Sequence, residues 1–93
     1  MQRIDLFVSE REVDRVCLAL RQAGAPGWSV IRHVTGSGEG GEISEAMDFS
    51  GLGANAHIVV FCEASQLEPL RQQIHPIMGR FGGVGFVSSA DRF

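Results

Sequence analysis

Ile4, Leu6 and Val8 recur at every second position near the start of the chain, a period that predicts a β-strand over Arg3–Val8 with one apolar face. The period then changes. Val13, Val16, Cys17 and Leu20 fall at i, i+3, i+4 and i+7, the single stripe of an amphipathic helix. Ser9 and Glu12 have capping-box spacing at its start, and Gly24 with Pro26 ends it. Trp28–Val34 is dense in β-branched and aromatic residues and predicts a second strand. No period survives from Gly36 to Asn55. Ala56–Cys62 is a continuous apolar run, read as a central third strand. Ser65 and Glu68 repeat the capping spacing beside a second stripe of Leu67, Leu70, Ile74, Ile77 and Met78. Pro69 falls in the first turn, and Pro76 is expected to bend or fray the far end. Phe81–Ser88 is the last strand, glycine-rich at its start. The order β-α-β-β-α-β predicts an α+β, ferredoxin-like fold: one antiparallel sheet, two helices on one face, and a long loop between strands two and three.

That loop is the anomaly. Hairpin connections usually take about two to five residues, whereas GSGEGGEISEAMDFSGLGAN spans 36–55 and holds six of the chain's 12 glycines. Glu39, Glu42, Glu45 and Asp48 make it acidic, and no arginine stands between Arg32 and Arg71. A loop this long is either a binding loop or lid, or a solvated excursion with no role. Gly36-Ser37-Gly38 at its base has the logic of an anion cradle, because glycine lets successive backbone N–H groups approach a phosphate. Gly82-Gly83 before the last strand reads either the same way or as a bulge.

Composition narrows the function. With 93 residues, 44% hydrophobic and 20% charged, the chain is one globular domain over 1–93 that gains considerably from subunit contacts. A formal charge of −3 argues against a nucleic-acid surface, which needs a basic stripe. No apolar run reaches membrane-span length and no signal-peptide core opens the chain, so a cytoplasmic location is expected. Cys17 and Cys62 read as small hydrophobes. The spacings of His33, His57 and His75 match no compact ligand motif, so no metal site is assigned. The loop carboxylates remain an alternative holder of a hard cation. No nucleophile, base and orienting residue can be paired, so the chain reads as non-enzymatic.

Arg3-Ile4-Asp5, then Val13-Asp14, Val16, Leu20, Gly24 and Gly27-Trp28-Ser29-Val30 leading to Gly36 and Gly38, resemble the PII signalling proteins. GWSVIRHVTGSG, DFSGLGAN and RFGGVGFVSSA are most similar to the PII-like proteins associated with carboxysomes and bicarbonate uptake. The resemblance implies a homotrimer with adenine-nucleotide clefts between subunits and a T-loop, here 36–55, that engages a partner. Carried over by position, Ser29 contacts the nucleotide, Gly36, Ser37 and Gly38 line the phosphate side, and Val60 lies against adenine. Gly82 and Gly83 of the adjacent subunit close the cleft.

The departures from the family sharpen this reading. The chain has no lysine and no tyrosine, so the family's usual cationic partner is missing and loop uridylylation is excluded. Glu39 and Gly40 stand where the classical loop has glutamine and lysine, and sensing through 2-oxoglutarate is not expected. Phosphate charge falls to backbone N–H groups and to Arg32, Arg80 or Arg92, which favours AMP or ADP over ATP. Strand two is one residue longer than the classical one, which implies a bulge. The expectation is a PII-like regulator without a resident cofactor. It reads AMP or ADP, with bicarbonate as a candidate second ligand, and acts through its loop on an inorganic-carbon transporter or related membrane partner. The alternative is a ferredoxin-like metal-responsive accessory protein.

Overall fold

Ile4, Leu6 and Val8 do share one buried face, and the rest of the core is assembled around them. The structure is a computed structural model describing residues 1–38, 41–43 and 55–93. In chain order it has β1 (Gln2–Ser9), α1 (Val13–Gln22), β2 (Trp28–Val34), β3 (Gly36–Gly38), β4 (Gly41–Ile43), β5 (Asn55–Cys62), α2 (Leu67–Phe81) and β6 (Val84–Ser89). Among the described residues, β2, β5, β1 and β6 form a four-stranded antiparallel sheet in that spatial order. This is the ferredoxin-like arrangement the periodicities predict.

The core lies on one side of this sheet. Ile4, Leu6 and Val8 of β1 and Ala56, Ile58, Val60 and Cys62 of β5 meet Val13, Val16, Ala19 and Leu20 of α1 and Leu70 and Ile74 of α2. Each fully buried aliphatic side chain of this kind contributes about 1.5–3 kcal/mol of transfer free energy. The alternate residues, Arg3, Asp5 and Phe7 on β1 and His57, Val59 and Phe61 on β5, face the other way. Among the described residues no helix covers that side. The run Ala56–Cys62 is therefore apolar except at His57 because both its faces carry hydrophobes, one buried in the core and one left open.

Several local expectations are corrected. Both helices are entered through short 3₁₀ turns, which displaces the caps. Ser9 caps the turn Glu10–Glu12 by accepting from Arg11 N at 3.4 Å, while Glu12 pairs with Arg15 at 2.9 Å instead of closing a box. At the second helix the box is formed by Glu63 and Gln66, with the Gln66 amide oxygen accepting from Glu63 N at 2.8 Å, rather than by Ser65 and Glu68. α1 does end at Gly24, whose φ of 81° permits the paired bonds Gly24 N to Arg21 O at 3.1 Å and Ala25 N to Leu20 O at 2.9 Å. Pro76 does not fray α2, which continues to Phe81. Phe81 thus ends the helix instead of opening the last strand, and Gly82-Gly83 is the turn between them. The stretch without period contains the small ribbon β3–β4, paired from Gly36↔Ile43 to Gly38↔Gly41.

Candidate functional site

The bulge inferred from the extra residue in strand two is present. Ile31 pairs with His57 but Val34 pairs with Asn55, so β2 spends three residues where β5 spends two. His33 absorbs the difference with φ of 60°, an unusual conformation for a residue other than glycine. Glu10, whose side chain is only 9% exposed, stands against the bulge and accepts from the His33 backbone N–H at 3.2 Å. Its carboxylate also lies 3.5 Å from His33 Nδ1 and 4.0 Å from the Arg32 guanidinium. The bulge is thus pinned by a residue of the first 3₁₀ turn, and Arg32 beside it is turned toward that same carboxylate.

Gly36, Ser37 and Gly38 follow directly, as the extended strand β3 rather than as a concave nest. In this paired, extended form their N–H groups alternate in direction. The acidic and apolar loop residues Glu39, Glu45, Met47, Asp48 and Phe49 lie outside the described residues, as does any structural account of the Glu42 side chain.

The remaining nucleotide candidates are placed by sheet topology. Ser29 is exposed on the edge strand β2. Gly82 and Gly83 precede β6, the opposite edge strand, three inter-strand spacings or roughly 14 Å across the sheet. One chain therefore cannot bring Ser29 and the glycine pair onto a single ligand. Val60 is 0% exposed, its side chain held in the core, so only its backbone is available to a base. Gly36–Gly38, Arg32 and Gly82–Gly83 share the end of the sheet where Val34, Asn55 and Val84 lie, as the strand registers require. Arg80, near the end of α2, approaches the same end with its guanidinium 5.2 Å from the Phe81 ring. Arg92 follows β6 beyond the opposite end, where Ala90 N bonds Met1 O at 3.0 Å.

One polar cluster was not anticipated from sequence. On the open sheet face the Arg3 guanidinium donates to both oxygens of Asp5 at 2.9–3.2 Å, and Asp5 Oδ1 lies 2.7 Å from His57 Nε2. The His57 ring is stacked on Phe7 with centroids 4.5 Å apart. The Arg3 hydrogen bond chiefly, helped by His57 and opposed by burial, holds the Asp5 carboxyl below its usual range. Its contribution to stability is therefore complete above the ordinary carboxylate range and is lost as pH falls through the lowered value. Arg3→Gln should move the acid limb of a urea-midpoint profile to higher pH. An unchanged limb would mean that Arg3 does not stabilise the ionised carboxylate.

Elsewhere the chemistry is muted. Burial pushes both the Cys17 and Cys62 thiols up, which keeps them protonated and unreactive at neutral pH. A cavity of about 340 Å³ lies between α2 and the β1–β6 part of the sheet, walled by Leu6, Leu20, Leu70, Ile74 and Met78 with Arg71 and His75 at its edge. It excludes all of the candidate nucleotide residues. Among the described residues no three His, Cys, Asp or Glu side chains gather where a metal ion could sit, and no helix is long and apolar enough to cross a membrane.

The model of the family described as nitrogen regulatory protein P-II matches residues 1–93. No curated protein matches the chain in sequence. Among solved structures, the PII-like protein CPII from Thiomonas intermedia K12 bound to ADP, AMP and bicarbonate is 20% identical, with a TM-score of 0.83 over 94% of this chain and 82% of that one. CPII bound to ADP and bicarbonate gives 20% identity and a TM-score of 0.79 over the same shares. Its apo form gives 17% and 0.73, covering 94% of this chain and 85% of that one.

Proposed function

The chain belongs to the nitrogen regulatory protein P-II family, and from that premise we propose that it is a trimeric, non-enzymatic regulator binding AMP or ADP between subunits. The family match across residues 1–93 carries this reading. Sheet topology supports it: Ser29 and Gly82–Gly83 sit on opposite edges, so a cleft using both takes them from two copies. Arg32 and Arg80 are the cations on the phosphate side. Arg92, beyond the far end of β6, reaches a nucleotide only from a neighbouring subunit.

CPII, of the same fold, is bound to ADP and bicarbonate, and bicarbonate is the second ligand we propose here. The absence of lysine from the sequence favours the less charged nucleotides, since a triphosphate demands more cationic contacts. The protein then acts in the cytoplasm on an inorganic-carbon transporter, engaged through loop 36–55.

Thermal melting with AMP, ADP, ATP, cyclic AMP, bicarbonate and divalent cations added singly tests the reading. A ligand of the native state at a hundred times its Kd stabilises by ~2.7 kcal/mol. AMP or ADP should give such a shift. A chain stabilised only by a divalent cation would instead be the metal-responsive accessory protein, and one indifferent to every nucleotide would not be a nucleotide regulator.

A further inference from the structure

The open face of the sheet is apolar around a charged centre. Ile31, Phe61, Val84 and Phe86 are 51%, 43%, 46% and 60% exposed. Strand register puts Ile31 opposite His57, Phe86 opposite Asp5 and Val84 opposite Phe7. Within this frame, among the described residues, the side chains of Arg3, Asp5 and His57 hydrogen-bond only to one another. With His57 neutral, Nε2–H donates to Asp5 and one arginine charge cancels one carboxylate charge. A face that neutralises itself offers nothing to a partner selected by opposite charge, yet meets its own copy without repulsion. The occupant that fits is therefore a second copy of this chain.

Resting on the oligomer of the proposed function, we propose that the Arg3–Asp5–His57 cluster makes association through this face proton-controlled, tight with His57 neutral and loosened when it is protonated. The sign follows from the surroundings. Protonation turns a neutral cluster into one of charge +1, and it adds an Nδ1–H for which the described residues of one chain supply no acceptor. In a free subunit water meets both demands. Under another copy the charge and the N–H are desolvated, which disfavours the imidazolium.

Among the described residues, the groups facing His57 offer no compensation. From β1 come Asp5, already bonded to Arg3, then Arg3 itself and the stacked Phe7. From β2 comes Ile31, and beyond β1 stand Phe86 and Ser88 of β6. At the bulge, Arg32 and His33 are turned to Glu10. Another copy packed on this face brings the same described set, with its Asp5 likewise held by arginine. Association then releases protons, so it strengthens as pH rises through the imidazole range and weakens as pH falls.

Sedimentation velocity of the full chain at about pH 8 and about pH 5.5, across the span where imidazole ordinarily titrates, reads this directly. The wild type should dissociate at the lower pH with an association constant reduced about tenfold or more, one pK unit of linkage being a factor of ten. His57→Gln should stay associated at both values. His57→Arg, charged throughout, should be weakened already at pH 8, with circular dichroism confirming that both variants fold. A wild type indifferent to pH, a His57→Gln variant as pH-sensitive as wild type, or a monomer at every pH would overturn the proposal. ADP calorimetry on the same samples separates the two readings. Proton-controlled assembly without nucleotide binding rejects only the nucleotide function, and nucleotide binding with pH-indifferent assembly rejects only the switch.

Discussion

Leu20→Ala should lower the stability of the chain by about 3–5 kcal/mol, the upper part of the range for buried leucines. Leu20 is 0% exposed, sits on the inner stripe of α1, and belongs to the cluster that joins both helices to β1 and β5. It also forms part of the wall of the 340 Å³ cavity beneath α2. Truncation therefore deepens a groove the neighbours already leave unfilled, and the cost of such substitutions grows with the space left behind. Domains of this size are stable by about 5–15 kcal/mol in all, so the variant loses a large share. Urea unfolding at fixed protein concentration measures it, the fixed concentration being required because association adds to apparent stability. Leu18→Ala on the same helix is the control: Leu18 is 56% exposed and should change the midpoint little. Equal losses at the two positions would mean that the inner stripe is not what anchors α1.

The contrast between Leu18 and Leu20 shows what the sequence can carry. The stripe Val13, Val16 and Leu20 and the alternation Ile4, Leu6, Val8 each obey a single local period, and local periods survive folding because only one face can be buried. The caps were less legible because each helix is entered through a 3₁₀ turn. That turn moved the second box from Ser65–Glu68 to Glu63–Gln66, a two-residue shift that periodicity does not register. Pro76 misled for a related reason: proline removes one backbone donor, but the apolar stripe on both sides of it, through Ile74, Ile77 and Met78, holds the helix against the sheet.

The candidate site was legible in pieces. The extra residue of strand two gave the bulge, but Glu10, which pins it, is 23 residues from His33, and no local pattern links them. The Arg3–Asp5–His57 cluster was hidden in the same way. Asp5 and His57 are 52 positions apart, and only the antiparallel register of β1 with β5 places them on one face. A signal did exist: Arg3, Asp5 and Phe7 alternate with the buried residues of β1, and His57 interrupts an otherwise apolar run. Such polar residues on an exposed sheet face are informative only once the neighbouring strand is known. Ser29 and Gly82–Gly83 pose the converse case, since the fold of one chain holds them apart and only assembly can join them.

Gly83→Ala and Gly82→Ala should separate what these glycines do for the fold from what they do for a ligand. Gly83 has φ of 122°, and a Cβ there would lie 2.9 Å from the Phe7 carbonyl oxygen and 3.1 Å from Val8 Cγ1. The carbonyl belongs to β1, paired on both sides in the sheet, and has no room to retreat. Positive φ costs roughly 1–2 kcal/mol for an L-residue and overpacking about 1–3 more, so Gly83→Ala should lose about 2–5 kcal/mol of stability. Gly82 has φ of 86° but nothing within 4 Å of a Cβ, and its N–H caps α2 on Met78 O at 2.8 Å. Gly82→Ala therefore bears only the backbone strain, about 1–2 kcal/mol. If Gly82 closes a nucleotide cleft on the neighbouring subunit, the methyl group that finds open space in one chain meets the ligand in the assembly. ADP calorimetry should then show Gly82→Ala weakened about tenfold or more while its urea midpoint falls less than that of Gly83→Ala. Undiminished ADP affinity in Gly82→Ala would remove the glycine pair from the cleft and leave its role to the turn between α2 and β6.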